Sequence, residues 1–175
     1  MEGVAARAGV SKALGYRYFD NADGLLLAVA DREMVEVAAR VSTAISSATT
    51  FEDALRTSLG AWFDVLSERG TTIVVIMTSP TLAGPLGDRR RELRNAVGRY
   101  YGVRAAEAFG LTPHLADMAT TILLAGLEGV IDCWLDRRIP RRELVDAYTT
   151  MCMAAFQALA DEPPVIGEPN PSRAD

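Results

Sequence analysis

Histidine occurs once in this 175-residue chain, at position 114, and cysteine twice, at Cys133 and Cys152. One histidine removes most metal-site and Ser/His/Asp chemistry, because those sites need several such ligands or a base beside a nucleophile. Two cysteines with no CxxC pairing, both in apolar helical stretches, exclude a disulfide framework and read as buried thiols. An excess of positive charge is also missing: 18 Lys and Arg against 23 Asp and Glu give a net charge of −5. A uniformly basic polyanion binder is thereby excluded, although a DNA reader needs only a locally positive surface. No continuous apolar run is long enough to span a bilayer. Met1-Glu2-Gly3 opens without a basic, hydrophobic secretion signal, so the expectation is a cytoplasmic protein with no membrane as partner. With no convergent acid, base or nucleophile set and no ligand cluster, neither an enzyme nor a cofactor is expected.

What is present is a chain with 49% apolar residues, enough to bury a real core, arranged almost throughout at helical spacing. The organising stretch is 4–19. Val4, Ala5 and Ala8 mark one side of a short helix, and Gly9 supplies the free φ that a sharp helix exit favours. Ser11 is placed to cap a second helix. The N-terminus of that helix presents free N–H groups and a positive dipole end, which suits a phosphate. Lys12, Tyr16, Arg17 and Tyr18 bring donors to its outer side, and Leu14 and Phe19 are available to hold it down. Two short helices with a tight turn form a helix-turn-helix, and an α-helix fits a major groove about 12 Å wide. Up to Phe19 the charges are Glu2, Arg7, Lys12 and Arg17, so this head is basic while the body is acidic. The other reading of the same residues is an ordinary helical hairpin with core aromatics and solvated charges.

Ala-Arg-Ala-Gly-Val-Ser-Lys at 6–12 and Tyr-Arg-Tyr-Phe at 16–19, followed by the helix containing Leu25-Leu26, resemble the tetracycline-repressor family. The resemblance covers the front of the chain, and the later helices are compatible with that family's variable ligand-binding and dimerisation domain. It implies that Ser11, Lys12, Ala13, Tyr16 and Tyr18 face DNA, to which the residue reading adds Arg17. Family members usually carry a whole helix ahead of the one containing Val4. Val4, Ala8, Val10 and Phe19 normally lean on it and are expected here to be partly exposed unless another surface covers them: either the start is set too late or the head is truncated. Leu14 and Gly15 invert the family's usual small-then-large order, and a glycine inside a helix costs about 1 kcal/mol against alanine. Ala22 stands where a phosphate-binding lysine often begins the next helix.

From Asp23 the apolar residues Leu26, Val29, Ala30, Met34, Val37, Val41 and Ile45 define a long helix tying head to body. Thr50 with Asp53 reads as a capping box for the following helix, whose stripe is Leu55, Leu59, Trp62, Phe63 and Leu66. Thr71–Met77 is β-branched but has no second strand to pair with, so a short buried helix is expected there. Pro80 and Gly84-Pro85 punctuate a loop. Asp88 to Arg94 opens a further helix running to Phe109-Gly110, its arginines a solvated face pairing with Asp88 and Glu92. The last two helices are joined at Arg137-Arg138-Ile139-Pro140 as an antiparallel hairpin, and Ala125, Gly126 and Gly129 keep one face thin.

The expectation is therefore all-α: a truncated helix-turn-helix head over 1–30, a ligand-binding and dimerisation body over 31–161, and a flexible tail over 162–175. The resemblance implies a ligand-responsive transcription regulator, most often a repressor, acting as a homodimer on near-palindromic operator DNA. Its dimer face is expected at Ile122, Ala125, Gly126, Gly129, Tyr148, Cys152, Ala155 and Phe156. Its effector cavity is expected among Trp62, Phe63, Met77, Arg99, Tyr100, Tyr101 and Leu123, for a hydrophobic or aromatic small molecule. The alternative is a helical homodimer that binds a small molecule or protein without effective DNA binding.

Overall fold

The computed structural model describes residues 1–70, 83–137 and 139–163. Every regular element among them is an α-helix: α1 (Glu2–Arg7), α2 (Lys12–Tyr18), α3 (Ala22–Ile45), α4 (Phe51–Arg69), α5 (Ala83–Phe109), α6 (Pro113–Arg137) and α7 (Arg141–Asp161). Short polar side chains set several of the starts. Ser11 Oγ accepts from Leu14 N at 3.1 Å, Asn21 Oδ1 from Gly24 N at 2.8 Å and Thr50 Oγ1 from Asp53 N at 3.0 Å. Each satisfies an N–H that the helix itself leaves orphaned, worth about 1 kcal/mol. The Thr50–Asp53 box closes one residue early, because Asp53 Oδ2 accepts from Thr49 N rather than from Thr50 N. The helix expected from Asp88 begins instead at Ala83. Gly84 and Pro85 lie in its first turn, where a proline's missing N–H costs no hydrogen bond. The expected helix over Thr71–Met77, Met77 itself and the tail beyond Pro163 fall outside the described residues.

The chain divides into two compact units, Met1–Val97 and Gly98–Asp175. The boundary expected after residue 30 does not coincide with that division, because α3 runs unbroken through it and packs along α4. In the first unit the core is built on α4. Phe51, Leu55, Leu59, Phe63 and Leu66 recur at helical spacing and are all buried, with Ala54 and Val65 beside them. α3 contributes Ala30 and Met34, with Leu27 and Val29 packed around Ala30.

In the second unit the buried set is Tyr101, Ala105 and Leu111 with Leu115, Ala116 and Ala119 of α6 and Leu144, Tyr148, Cys152 and Phe156 of α7. Phe109 stacks on Phe156 with centroids 5.4 Å apart. Gly102 lets α5 pass close to the backbone of Asp117. The stretch Pro113–Asp136 of α6 is long and apolar enough, by length and composition, to cross a membrane, its most apolar 18-residue window having mean hydropathy 1.5. The sequence reading found no continuous apolar run of that length, and the helix does carry Asp117, Glu128 and Asp132. Only 12% of its most apolar window is buried, so most of that surface stands open in a single chain.

Candidate nucleic-acid interface

The corner between α1 and α2 is closed by backbone alone. Val10 N donates to Ala5 O at 3.0 Å and Gly9 N to Ala6 O at 3.2 Å, with Gly9 at φ 69. This is a Schellman closure, in which a left-handed residue lets two successive N–H groups reach back to the last turn's carbonyls. The chain then leaves in an extended conformation at Ser11 (φ −71, ψ 148), whose Oγ caps α2. Corner and cap together fix the direction of α2 within four residues.

Ser11, Lys12, Ala13, Tyr16, Arg17 and Tyr18 are all exposed, Tyr16 at 48% and Tyr18 at 70% of full accessibility. No residue of α2 is buried. The expected anchors therefore differ from the structure: Leu14 is 38% exposed and Phe19 only half-buried. The six-residue α1 offers them little, since Ala5 is its one buried side chain. Val4 (53% exposed), Val10 (41%) and Ala8 stand open as expected. With Met1, Gly3 and Arg7, Val4 and Ala8 border a broad shallow hollow on the outer side of α1.

The electrostatics of this face are mixed. Lys12 Nζ is not free but lies 3.2 Å from Glu2 Oε2, across the two helices, with both side chains largely exposed. Such a pair is worth about 0–1 kcal/mol. A phosphate can displace Glu2 at small cost, though the carboxylate opposes it. At Gly15 a β-carbon would come within 3.2 Å of the Met1 methyl, the far end of a flexible side chain. The glycine thus answers to no rigid neighbour.

The residues expected to line an effector cavity fall in both units. Trp62 is half-buried, and its Nε1 is shielded from solvent with no acceptor among the described residues, whereas Phe63 is fully enclosed in the α4 core. In the second unit Tyr100 and Tyr101 meet edge to face at 4.9 Å, Arg99 is exposed and Leu123 half-buried.

The residues expected at a dimer face separate into two groups. Ile122 is 64% exposed, Ala125, Gly126 and Gly129 are exposed, and Ala155 is half-buried. Tyr148, Cys152 and Phe156 are instead enclosed by their own unit. Tyr148 donates to Leu123 O, Phe156 stacks on Phe109, and burial pushes the Cys152 thiol up to about 11. The open stripe on α7 is the neighbouring one: Ala147, Met151, Ala154 and Ala158. It matches Met118, Ile122, Ala125 and Gly129 of α6 in spacing, and all eight are exposed.

Sequence reasoning also missed an ion-pair cluster between α3 and α4. Glu33 is 5% exposed, yet it pairs with Arg69, which also reaches Glu36. The one signal for it is an acidic residue set inside the apolar stripe Ala30, Met34 and Val37. No protein-family model matches the chain.

Proposed function

We propose that this chain is a ligand-responsive, DNA-binding transcription regulator that acts as a homodimer on near-palindromic operator DNA, in the manner of the family it resembles. The observation carrying this reading is the α1–α2 corner, where a Schellman turn and a serine cap present a short helix that exposes Lys12, Tyr16, Arg17 and Tyr18 as donors. In that role Ser11 and the first N–H groups of α2 take a backbone phosphate. Lys12 and Arg17 supply phosphate or guanine contacts, Tyr16 and Tyr18 hydrogen-bond with the duplex, and the Ala13 methyl packs on a base edge. The exposed stripes of α6 and α7 supply the second half of the assembly, since a two-fold pair of hairpins would cover both at once. An apolar or aromatic compound is the effector class, and the cytoplasm is the place of action. No catalytic role or cofactor is assigned.

A second reading, a helical homodimer without effective DNA binding, is favoured by one feature of the head. Lys12 is held by Glu2, and Ala22 brings no cation to the start of α3. The two are separated by selecting bound duplexes from a random library and titrating the winner by fluorescence anisotropy at several salt concentrations. The regulator reading expects a two-fold-related sequence pair about one helical turn apart. It also expects Lys12→Ala to weaken binding across sequences and to lower the salt slope by about one. Failure to enrich any sequence, with binding indifferent to Lys12, leaves the second reading.

A further inference from the structure

We propose that Arg69, the last residue of α4, is a two-pronged joint that fixes the tilt of α3 and thereby the position of the helix-turn-helix. Its guanidinium is shared. Nη1 lies 3.4 Å from Glu33 Oε1 and Nη2 lies 3.7 Å from Glu36 Oε1, so one planar fork holds two carboxylates one turn apart on α3. Arg40, one turn further along, pairs with Glu36 at 2.9 Å and crosses to Glu68 of α4 at 2.5 Å. Four charged side chains other than Glu33 therefore pin the end of α4 to the middle of α3 through fork geometries that a lysine cannot reproduce.

One oxygen of the joint is left unmatched. Glu33 Oε1 accepts from both Arg32 (2.7 Å) and Arg69, while its Oε2 is sealed from solvent and has no donor among the described residues. A buried carboxylate oxygen left unpaired is costly, and the cost falls if the fork of Arg69 leaves Glu36 and closes on both oxygens of Glu33. Glu36 would keep Arg40 as its partner. The tilt reaches the head because α2 ends at Tyr18 and α3 begins at Ala22, leaving three residues between them. That last step rests on the DNA-binding reading, whereas the joint itself does not.

The test reads the joint and the DNA separately. Spin labels are placed at Ala28→Cys on α3 and Glu52→Cys on α4, with Cys133→Ser and dilution by unlabelled chain. The distance distribution is then measured in Arg69→Met, Glu33→Gln, Arg40→Glu, Glu68→Arg and the Arg40→Glu/Glu68→Arg pair. The parent should give one narrow population. Arg69→Met and Glu33→Gln should shift or broaden it by several ångströms, and the two Arg40/Glu68 single reversals should disturb it more than the double reversal, which rebuilds the pair across the helices but not the one with Glu36. A folded Arg69→Met with an unchanged distribution overturns the joint. If Arg69→Met does not fold, single reversals that leave the distance unchanged overturn it instead. Duplex titrations of the same chains should weaken at least tenfold in Arg69→Met, and a shifted distance with unaltered affinity overturns the link to the head. A parent that binds no duplex removes the DNA-binding reading and leaves the distance result to decide the joint.

Discussion

Tyr148 donates its phenolic proton to the carbonyl oxygen of Leu123 at 2.6 Å, joining the middle of α7 to the middle of α6. The contact is buried, and Tyr148 is 6% exposed. Replacing it by phenylalanine keeps the ring and removes the bond. Tyr148→Phe should cost about 1 kcal/mol, the net value of a typical intramolecular hydrogen bond. Urea unfolding checks it, and a loss near zero would show the bond to be incidental to the hairpin.

The same neighbourhood sets a response to alkali. Burial is the main cause that holds the Tyr148 phenol above its ordinary range and moves the Cys152 thiol from 9.0 up to about 11. Both groups stay neutral in the folded chain at pH values where the unfolded chain would release their protons. Their contribution is complete below pH 9 and is lost as pH rises towards 11 and beyond. Denaturation midpoints should therefore fall across that window. Cys152→Ala should flatten the part of the fall between 9 and 11, and an unchanged profile in that variant would count against the assignment.

Thiol chemistry offers a companion reading. Cys133 is half-exposed and Cys152 is 1% exposed. At pH 8 an alkylating reagent should modify Cys133 alone in the native protein and both after unfolding, because the thiolate is the nucleophile and burial suppresses it. Mass spectrometry of the alkylated peptides decides the point.

The open stripes of α6 and α7 carry the assembly prediction. Ile122→Glu, or charges at both Ala125 and Gly129, should convert a dimer to a monomer in light scattering while leaving helical content intact. Tyr148→Phe, on the enclosed side of α7, should not. A wild-type monomer at micromolar concentration would remove the two-fold reading.

In the head, Gly15 and Glu2 each make a directional claim. Gly15→Ala should stabilise the head by about 1 kcal/mol, since the helix gains and only the flexible Met1 tip must yield. Glu2→Gln should raise duplex affinity severalfold by releasing Lys12 and removing a carboxylate near the phosphate path. Loss of affinity in Glu2→Gln would mean that the ion pair orients Lys12 for its contact.

The elements legible in the sequence are those whose signals are local. Ser11, Thr50 and Gly9 act on their own turns, so a cap or a corner can be read within three or four residues. The start of α5 was not legible because Gly84 and Pro85 have the same composition in a loop as in a first helical turn. Periodicity announced that α7 has apolar faces. It did not distinguish the face bearing Tyr148, Cys152 and Phe156, covered by its own unit, from the face bearing Met151, Ala154 and Ala158. Covering is a tertiary property that depends on which neighbour arrives. The Glu33–Arg69 pair spans 36 positions, and no local rule links them. In the head the exposure of Tyr16 and Tyr18 follows from helix geometry, but the Glu2–Lys12 pair depends on how the corner folds α1 back.

If the chain pairs through the uncovered face of α6 as proposed, abundance becomes a thermodynamic variable for this protein. A chain whose apolar stripe at Ile122, Ala125 and Gly129 meets water when alone would then gain stability from every copy of itself that the cell makes, by mass action. At low copy number the lone chain would be the less stable and more readily degraded species, and as synthesis rises the paired form would protect itself. The protein's lifetime would then rise with its own rate of production, so a modest change in expression becomes a larger change in the amount of competent dimer.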